Sequence, residues 1–323
     1  MNNMQAIRRV IEKELQEFEL CFTQAVRSQV PLLDRIMQYI VKHKGKQIRP
    51  MFVIFSARLA GPVNMATYRA AALVELLHTA TLVHDDVVDD ANERRGIFSI
   101  NALWKNKIAV LVGDYLLSKG LLLSLDHGDY GVLQILSEAV KRMSESELLQ
   151  MEKTRHLDME ENVYFDIIRG KTASLLSAAC SVGIYSVSHD PQLTQQMKVF
   201  GEKVGMAFQI KDDLFDYGQA SVGKPIGHDL RDKKITLPLI YALRKASPAQ
   251  KRRMIHLIKH EYRNRKKIQE VIQFVLDMGG IEYAKQQMFA FRDEAFQILH
   301  TFPDEPIRRG LEALVRFTTD REY

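Results

Sequence analysis

Two short acidic runs stand out in this 323-residue sequence: Asp85-Asp86-Val87-Val88-Asp89-Asp90 after His84, and Asp212-Asp213-Leu214-Phe215-Asp216 after Lys211. On a helix, residues four apart lie one turn above each other, so Asp85 and Asp89 share a face, as do Asp212 and Asp216. One alternative is that the acids simply gather on solvated faces or near helix N-termini, where the macrodipole favours them. Against it, the runs are embedded in Leu82, Val83, Val87 and Val88, and in Phe208, Ile210, Leu214 and Phe215. Helices apolar around most of their circumference are expected to be central. Buried like charges repel and lose hydration, which is tolerable only beside a compensating cation. Two such clusters facing each other across a cavity would make an oxygen-rich site for a hard divalent ion that keeps waters and binds substrate phosphates, which means magnesium.

Basic residues suited to a diphosphate cluster at chain breaks: Lys46 and Arg49 before Pro50, Arg94 and Arg95 after the first acidic run, Lys171 after Gly170, Lys224 after Gly223, and Lys233-Lys234. Any one could be a surface charge, and Arg94-Arg95 could pair with Asp90 or Glu93. His78, two turns before Asp85, could equally be a satisfied core histidine. Zinc-type His/Cys spacing, the Gly-x-x-x-x-Gly-Lys-Ser/Thr loop and the Gly-x-Gly-x-x-Gly fingerprint do not occur, so metal and side chains must hold the phosphate.

The elements that position these groups read as helices. Apolar residues recur at three- and four-residue spacing, as in Ala70, Leu73, Leu76, Leu77, Ala80 and Val83, and more weakly in Val140, Met143, Leu148 and Met151. Strand signals are scarce. Breaks fall near Gly45 to Pro50, Gly61-Pro62, Arg95-Gly96, Asp126 to Gly131, Ser188 to Pro191, Gly218 to Gly227, Ser247-Pro248 and Thr301 to Pro306, none long enough for a linker. A single all-α domain over residues 1–323, of about ten helices, is expected.

A composition of 46% hydrophobic and 26% charged residues suits a globular protein with a large core. Cys21 and Cys180 are too few and too far apart for a disulfide framework, which fits a cytoplasmic location. The N-terminus mixes Arg8, Arg9, Glu12, Lys13 and Glu14 into its apolar residues, unlike a secretory signal. Ile108 to Leu125 is interrupted by Asp114 and Lys119 and reads as a buried helix rather than a bilayer span. The formal charge of +5 comes with interleaved acids, except at Lys251 to Arg253 and Arg263 to Lys267, and no nucleic-acid motif accompanies it.

Taken in order, Gly45-Lys46-Gln47-Ile48-Arg49-Pro50, the His78 to Gly96 block, Gly113-Asp114, Gly170-Lys171-Thr172, Phe208 to Asp213, Gly223-Lys224-Pro225 and Lys234-x-Thr236-Leu237-Pro238 resemble the trans-isoprenyl diphosphate synthases, the polyprenyl synthetases. The resemblance runs from about Gly45 to the C-terminus and implies the isoprenoid-synthase fold, an all-α orthogonal helical bundle around a central cavity. It implies that Lys46, Arg49, His78 and Arg95 hold the diphosphate of isopentenyl diphosphate through charge-assisted hydrogen bonds. It implies that Asp85, Asp89 and Asp212 ligate magnesium ions bridging to the allylic diphosphate, with Asp86, Asp213 and Asp216 as nearby or water-mediated ligands. Arg94, Lys171, Thr172, Gln209, Lys224 and Lys234 would complete the allylic site, with Arg94 and Lys171 stabilising the departing pyrophosphate. Homodimerisation is also implied. The sequence departs from the family at Gly218-Gln219-Ala220-Ser221, where an acid is often found, which touches only loop detail.

In this family the residues one turn before the first aspartate face the growing tail, and bulky aromatics there end elongation. Here they are Ala80 and Thr81, so the tail is expected to pass towards Leu77 and Val74 and reach the length of a quinone side chain. Alanine at 80 could instead serve close helix packing. The floor is expected in the Leu111 to Leu123 helix. Release of such a product would bring the protein to a membrane surface without an anchor. Other readings are a farnesyl- or geranylgeranyl-length synthase and a class I terpene cyclase, which would not need Lys46, Arg49 and His78. A non-catalytic subunit, expected to have lost its acidic motifs, and a helical nucleic-acid binder complete the alternatives.

Overall fold

The structure, a computed structural model, describes residues 3–94, 96–156, 160–218, 227, 230 and 234–320. These are almost entirely helical, as the spacing of apolar residues requires. In chain order the helices are α1 (Asn3–Val10), α2 (Glu12–Ala25), α3 (Pro31–Lys42), α4 (Ile48–Ala60), α5 (Met65–Val88), α6 (Ile100–Trp104), α7 (Asn106–Leu125) and α8 (Tyr130–His156). Then follow α9 (Glu161–Ile168), α10 (Ser174–Ser188), α11 (Pro191–Leu214), α12 (Leu237–Lys245), α13 (Pro248–His260), α14 (Arg265–Asp277), α15 (Gly280–Leu299) and α16 (Pro306–Thr319). The break at Arg95-Gly96 carries the strands β1 (Glu93–Arg94) and β2 (Ile97–Phe98), an antiparallel pair with Arg94 opposite Ile97.

The chain divides into two compact units. The first comprises residues 1–140, 175–201 and 298–314. Its central helix, α5, starts at Asn64, whose side chain accepts from the Thr67 backbone N–H while the Thr67 hydroxyl faces the Asn64 N–H, a reciprocal cap that satisfies otherwise orphaned donors. Phe18, Phe52, Phe55, Leu73, Leu76 and Leu116 are fully buried in this unit, and the stripe from Ala70 to Val83 is buried as its spacing indicates. α7 differs from expectation. Ala109, Val112, Leu116 and Gly120 face inwards along α5, but Leu111 is 60% and Leu122 50% exposed, so the helix is buried on one side only. By length and composition α7 could cross a membrane, since Asp114 and Lys119 are its only central charges apart from the Lys107 near its start.

The second unit comprises residues 141–174, 202–297 and 315–323. Its core is built from Tyr164, Ile168, Met206, Ile210, Leu214 and residues of α12, α13, α14 and α15. α13 begins at the break read at Ser247-Pro248, where the Ser247 side chain accepts from the Gln250 N–H and proline takes the first helical position, which has no use for an N–H donor. The weak stripe on α8 is not buried: Leu148 is 68% and Met151 40% exposed, while α8 buries Val132, Leu136 and Ala139 earlier in its length. Three- and four-residue spacing alone does not say where along a long helix its partners end.

Candidate active site

Both acidic runs lie at helix C-termini. α5 ends at Val88 with Asp89 as its C-cap, and α11 ends at Leu214. The negative end of the macrodipole opposes carboxylates there, at a cost of about 0.3–1 kcal/mol each. This removes the reading in which the acids cluster because a helix N-terminus favours them. Asp85, half-buried, and Asp89, exposed, stand one turn apart as the spacing demands.

Asp86 is different. Its side chain is buried, Arg94 Nε donates to its Oδ1 at 2.7 Å, and Asn101 Nδ2 donates to its backbone oxygen at 3.2 Å. Burial pushes the Asp86 carboxyl above the usual carboxylate range, Arg94 opposes the shift, and the nearby Asp89 charge adds to it. Arg94 reaches back because the β1–β2 turn reverses the chain directly after α5, so its partner is Asp86 rather than Asp90 or Glu93. Arg95 lies outside the described residues.

Arg49 and His78 come together, with Arg49 Nη1 2.8 Å from His78 Nε2. A guanidinium has only protons to give, so Nε2 must accept and the imidazole proton sits on Nδ1. His78 is buried and hydrogen-bonded to Arg49, which agrees with a satisfied core histidine as well as with a pair that serves a site. Lys46 is exposed just before them, in a turn where Gln47 takes a left-handed φ of 55°. Arg8 secures that turn, donating to the Lys46 carbonyl at 3.4 Å and to Gln47 Oε1 at 3.3 Å.

In the second unit, Asp213 is the hub of a network. It is fully buried, and its carboxylate accepts from the Tyr164 hydroxyl at 2.7 Å, Gln209 Nε2 at 2.9 Å and Lys234 Nζ at 3.2 Å. Gln209 in turn accepts from the Thr172 hydroxyl at 2.6 Å. Thr172 and Lys171 sit on a π-helical turn, Arg169–Ala173, between α9 and α10. Single π-turns inside α-helices concentrate at functional sites. Gly170 is needed there because a Cβ would fall 1.7 Å from Ser146 Oγ. Lys171 Nζ is held by Glu147 and by Gln150 Oε1 at 3.1 Å.

Asp212 is exposed, whereas Asp216 is buried in the 3₁₀ turn Phe215–Tyr217 and accepts from the Leu230 N–H at 3.4 Å. The expected shared face of Asp212 and Asp216 is broken because the α-helix stops between them. Lys224, and Gln219 to Ser221 of the divergent loop, lie outside the described residues.

The donor chemistry fits magnesium in a specific way. Among the described residues no three carboxylate, imidazole or thiol groups close around a metal position. Asp85 and Asp89 in the first unit and Asp212 in the second carry hard oxygen donors, the donor type suited to an ion whose remaining positions are filled by water and substrate phosphate. Asp86 Oδ1 and both side-chain oxygens of Asp213 accept from protein donors.

Val74, Leu77 and Ala80 are buried on α5, and the Thr81 hydroxyl donates to the His78 carbonyl at 2.9 Å. On α7, a Cβ at Gly120 would stand 2.6 Å from Leu73 Cδ1 and 4.0 Å from Leu77 Cδ2, so the two helices touch at this level. Sequence reasoning did not find Tyr164, Glu147, Gln150, Asn101 or Arg8, which lie 15 to 49 positions from the groups they hold and share no local pattern with them. Tyr164 alone gave a weak signal, as an aromatic one helical segment ahead of Gly170-Lys171-Thr172.

A sequence model of the family described as polyprenyl synthetase matches residues 30–275. The octaprenyl diphosphate synthase of Escherichia coli is 33% identical over 322 residues, covering 99% of both chains. A decaprenyl diphosphate synthase from Rhodobacter capsulatus superposes with a TM-score of 0.93 at 33% identity, over 99% of this chain and all of the other. A polyprenyl synthase from Caulobacter crescentus, solved with calcium and isoprenyl diphosphate, gives a TM-score of 0.91 at 31% identity over 98% of each chain. Likeness of this extent, in sequence and in fold together, means that the chain belongs to the polyprenyl synthetase family.

Proposed function

We propose that this chain is a magnesium-dependent trans-prenyltransferase that condenses isopentenyl diphosphate with an allylic diphosphate, farnesyl or geranylgeranyl, into a long all-trans polyprenyl diphosphate. The carrying observation is that both acidic runs sit at helix C-termini, where the dipole opposes them, on a chain similar to long-chain synthases throughout its length. Acids kept in such places need cations, and Asp85, Asp89 and Asp212 would supply the oxygen ligands. Magnesium bound there would neutralise charge on the departing pyrophosphate.

The residues of the chain do the rest. Lys46, Arg49, His78 and Arg95 bind the isopentenyl diphosphate, with His78 Nε2 accepting from the Arg49 guanidinium and orienting it. Lys171, Thr172, Gln209, Lys224 and Lys234 bind the allylic diphosphate, and Arg94 orients Asp86 beside it. As pyrophosphate leaves, the allylic cation is attacked by the isopentenyl double bond, and the proton lost goes to pyrophosphate. No protein nucleophile is needed, but water must be kept out, which the apolar residues of α5 serve. Small residues at Ala80 and Thr81 let the tail pass towards Leu77 and Val74.

The protein works in the cytoplasm as one isoprenoid-synthase domain and as a homodimer. The exposed apolar side of α7, with Leu111, Leu121, Leu122 and Leu125, supports coverage by a second copy. Incorporation of labelled isopentenyl diphosphate, with metal removed by chelation and restored, tests the reading: activity that returns with magnesium supports it, and activity indifferent to chelation contradicts it.

A further inference from the structure

The charge of this protein is segregated. Between Lys251 and Lys267 there are eight Lys and Arg residues and one acid, Glu261, a net +7; with +5 for the whole chain, all other residues together sum to −2. The segment forms α13, the following turn and the first turn of α14. Arg252 and Lys259, with His256 between them, lie opposite the buried Met254, Leu257 and Ile258, so they project from the outer side of α13. Arg265, Lys266 and Lys267 occupy the first three positions of α14, the positive end of its dipole, where cations are unfavourable. Among the described residues, Glu270 serves both Arg253, at 2.6 Å, and Lys267, at 3.5 Å. Exposed cations in this number, those of α14 placed against the helix dipole, make a surface for a polyanion. Leu276, 40% exposed and three turns beyond Arg265 on the same side of α14, adds an apolar group to that surface.

We propose that the outer side of α13 and the start of α14 dock the protein on a membrane surface bearing anionic phospholipid. Clusters of four to eight Lys and Arg beside an apolar contact are the form that recognises such a surface, each cation strengthening binding about five-fold. The choice of a lipid surface over a nucleic acid rests on the proposed long-chain product, which must leave water for a bilayer; the exposed leucine favours the same partner.

The test is co-sedimentation of the whole protein, without substrate, with vesicles of neutral phosphatidylcholine and with vesicles containing phosphatidylglycerol. Binding to the anionic vesicles alone, falling steeply between 0.1 and 0.5 M salt as about a Debye-length interaction must, is expected. Arg252→Gln, Lys259→Gln and Lys266→Gln together should weaken it about 100-fold while leaving incorporation of isopentenyl diphosphate unchanged. Equal binding to neutral vesicles, no anionic binding at low salt, an unaffected triple variant, or tighter binding to duplex DNA or RNA than to vesicles at the same salt would each overturn the proposal. If the triple variant loses its thermal transition, the lipid and salt dependence of the parent protein decides. Vesicle binding by a protein that makes no polyprenyl product would leave docking standing and sink the synthase reading alone.

Discussion

Replacing Tyr164 by phenylalanine removes one oxygen from a position that is 2% exposed and leaves the ring and its edge contact with Phe165 in place. The oxygen lost is the donor at 2.7 Å to the fully buried Asp213. A hydrogen bond to a charged group contributes about 1.5–3 kcal/mol, and Asp213 keeps Gln209 and Lys234, so a cost near the lower end, about 1.5–2 kcal/mol, is expected. Asp213→Ala strands the Lys234 ammonium, the Gln209 amide and the Tyr164 hydroxyl at once and is expected to cost about 3–5 kcal/mol. In the double variant the two losses overlap, giving a coupling of about 1.5 kcal/mol. Urea unfolding in the absence of metal and substrate measures all three. A Tyr164→Phe variant within about 0.5 kcal/mol of the parent, with strictly additive losses, would refute Asp213 as a protein-braced carboxylate.

Further outcomes follow from the same geometry. Asp89→Asn and Asp212→Asn each remove a carboxylate proposed as a metal ligand and should lower turnover about 10²–10³-fold with circular dichroism unchanged; product analysis at saturating magnesium checks this. Ala80→Phe should shorten the product, and the accompanying stability separates two explanations: a loss of about 1–3 kcal/mol marks a filled site, and an unchanged midpoint marks a side facing the tail. The Cys180 thiol is fully buried, and burial pushes its pKa up to about 12, so at pH 8 a thiol reagent should leave Cys180 unmodified in the native protein and modify it on unfolding.

Much of this was legible in the residues. Helical spacing and the breaks at Gly61-Pro62 and Ser247-Pro248 gave elements where the structure has them, because caps and prolines act locally. The break at Arg95-Gly96 also placed the first acidic run near a helix end, although the consequence for the macrodipole needs the helix direction as well. What spacing could not convey is which carboxylates are already taken. Asp86 is claimed by an arginine that returns through a two-residue strand pair, and Asp213 by a tyrosine 49 positions away. The exposed sides of α7 and of α8 at Leu148 escaped for a related reason: an apolar residue at helical spacing has the same appearance in sequence whether its partner is the same chain or something else.

The central claim is tested most directly by incubating the purified protein with magnesium, labelled isopentenyl diphosphate and farnesyl diphosphate, and resolving the dephosphorylated products by length. A ladder ending well beyond geranylgeranyl is the expected result. Termination at farnesyl or geranylgeranyl length would contradict the open passage at Ala80 and Thr81, and absence of incorporation with every allylic primer would contradict the synthase itself.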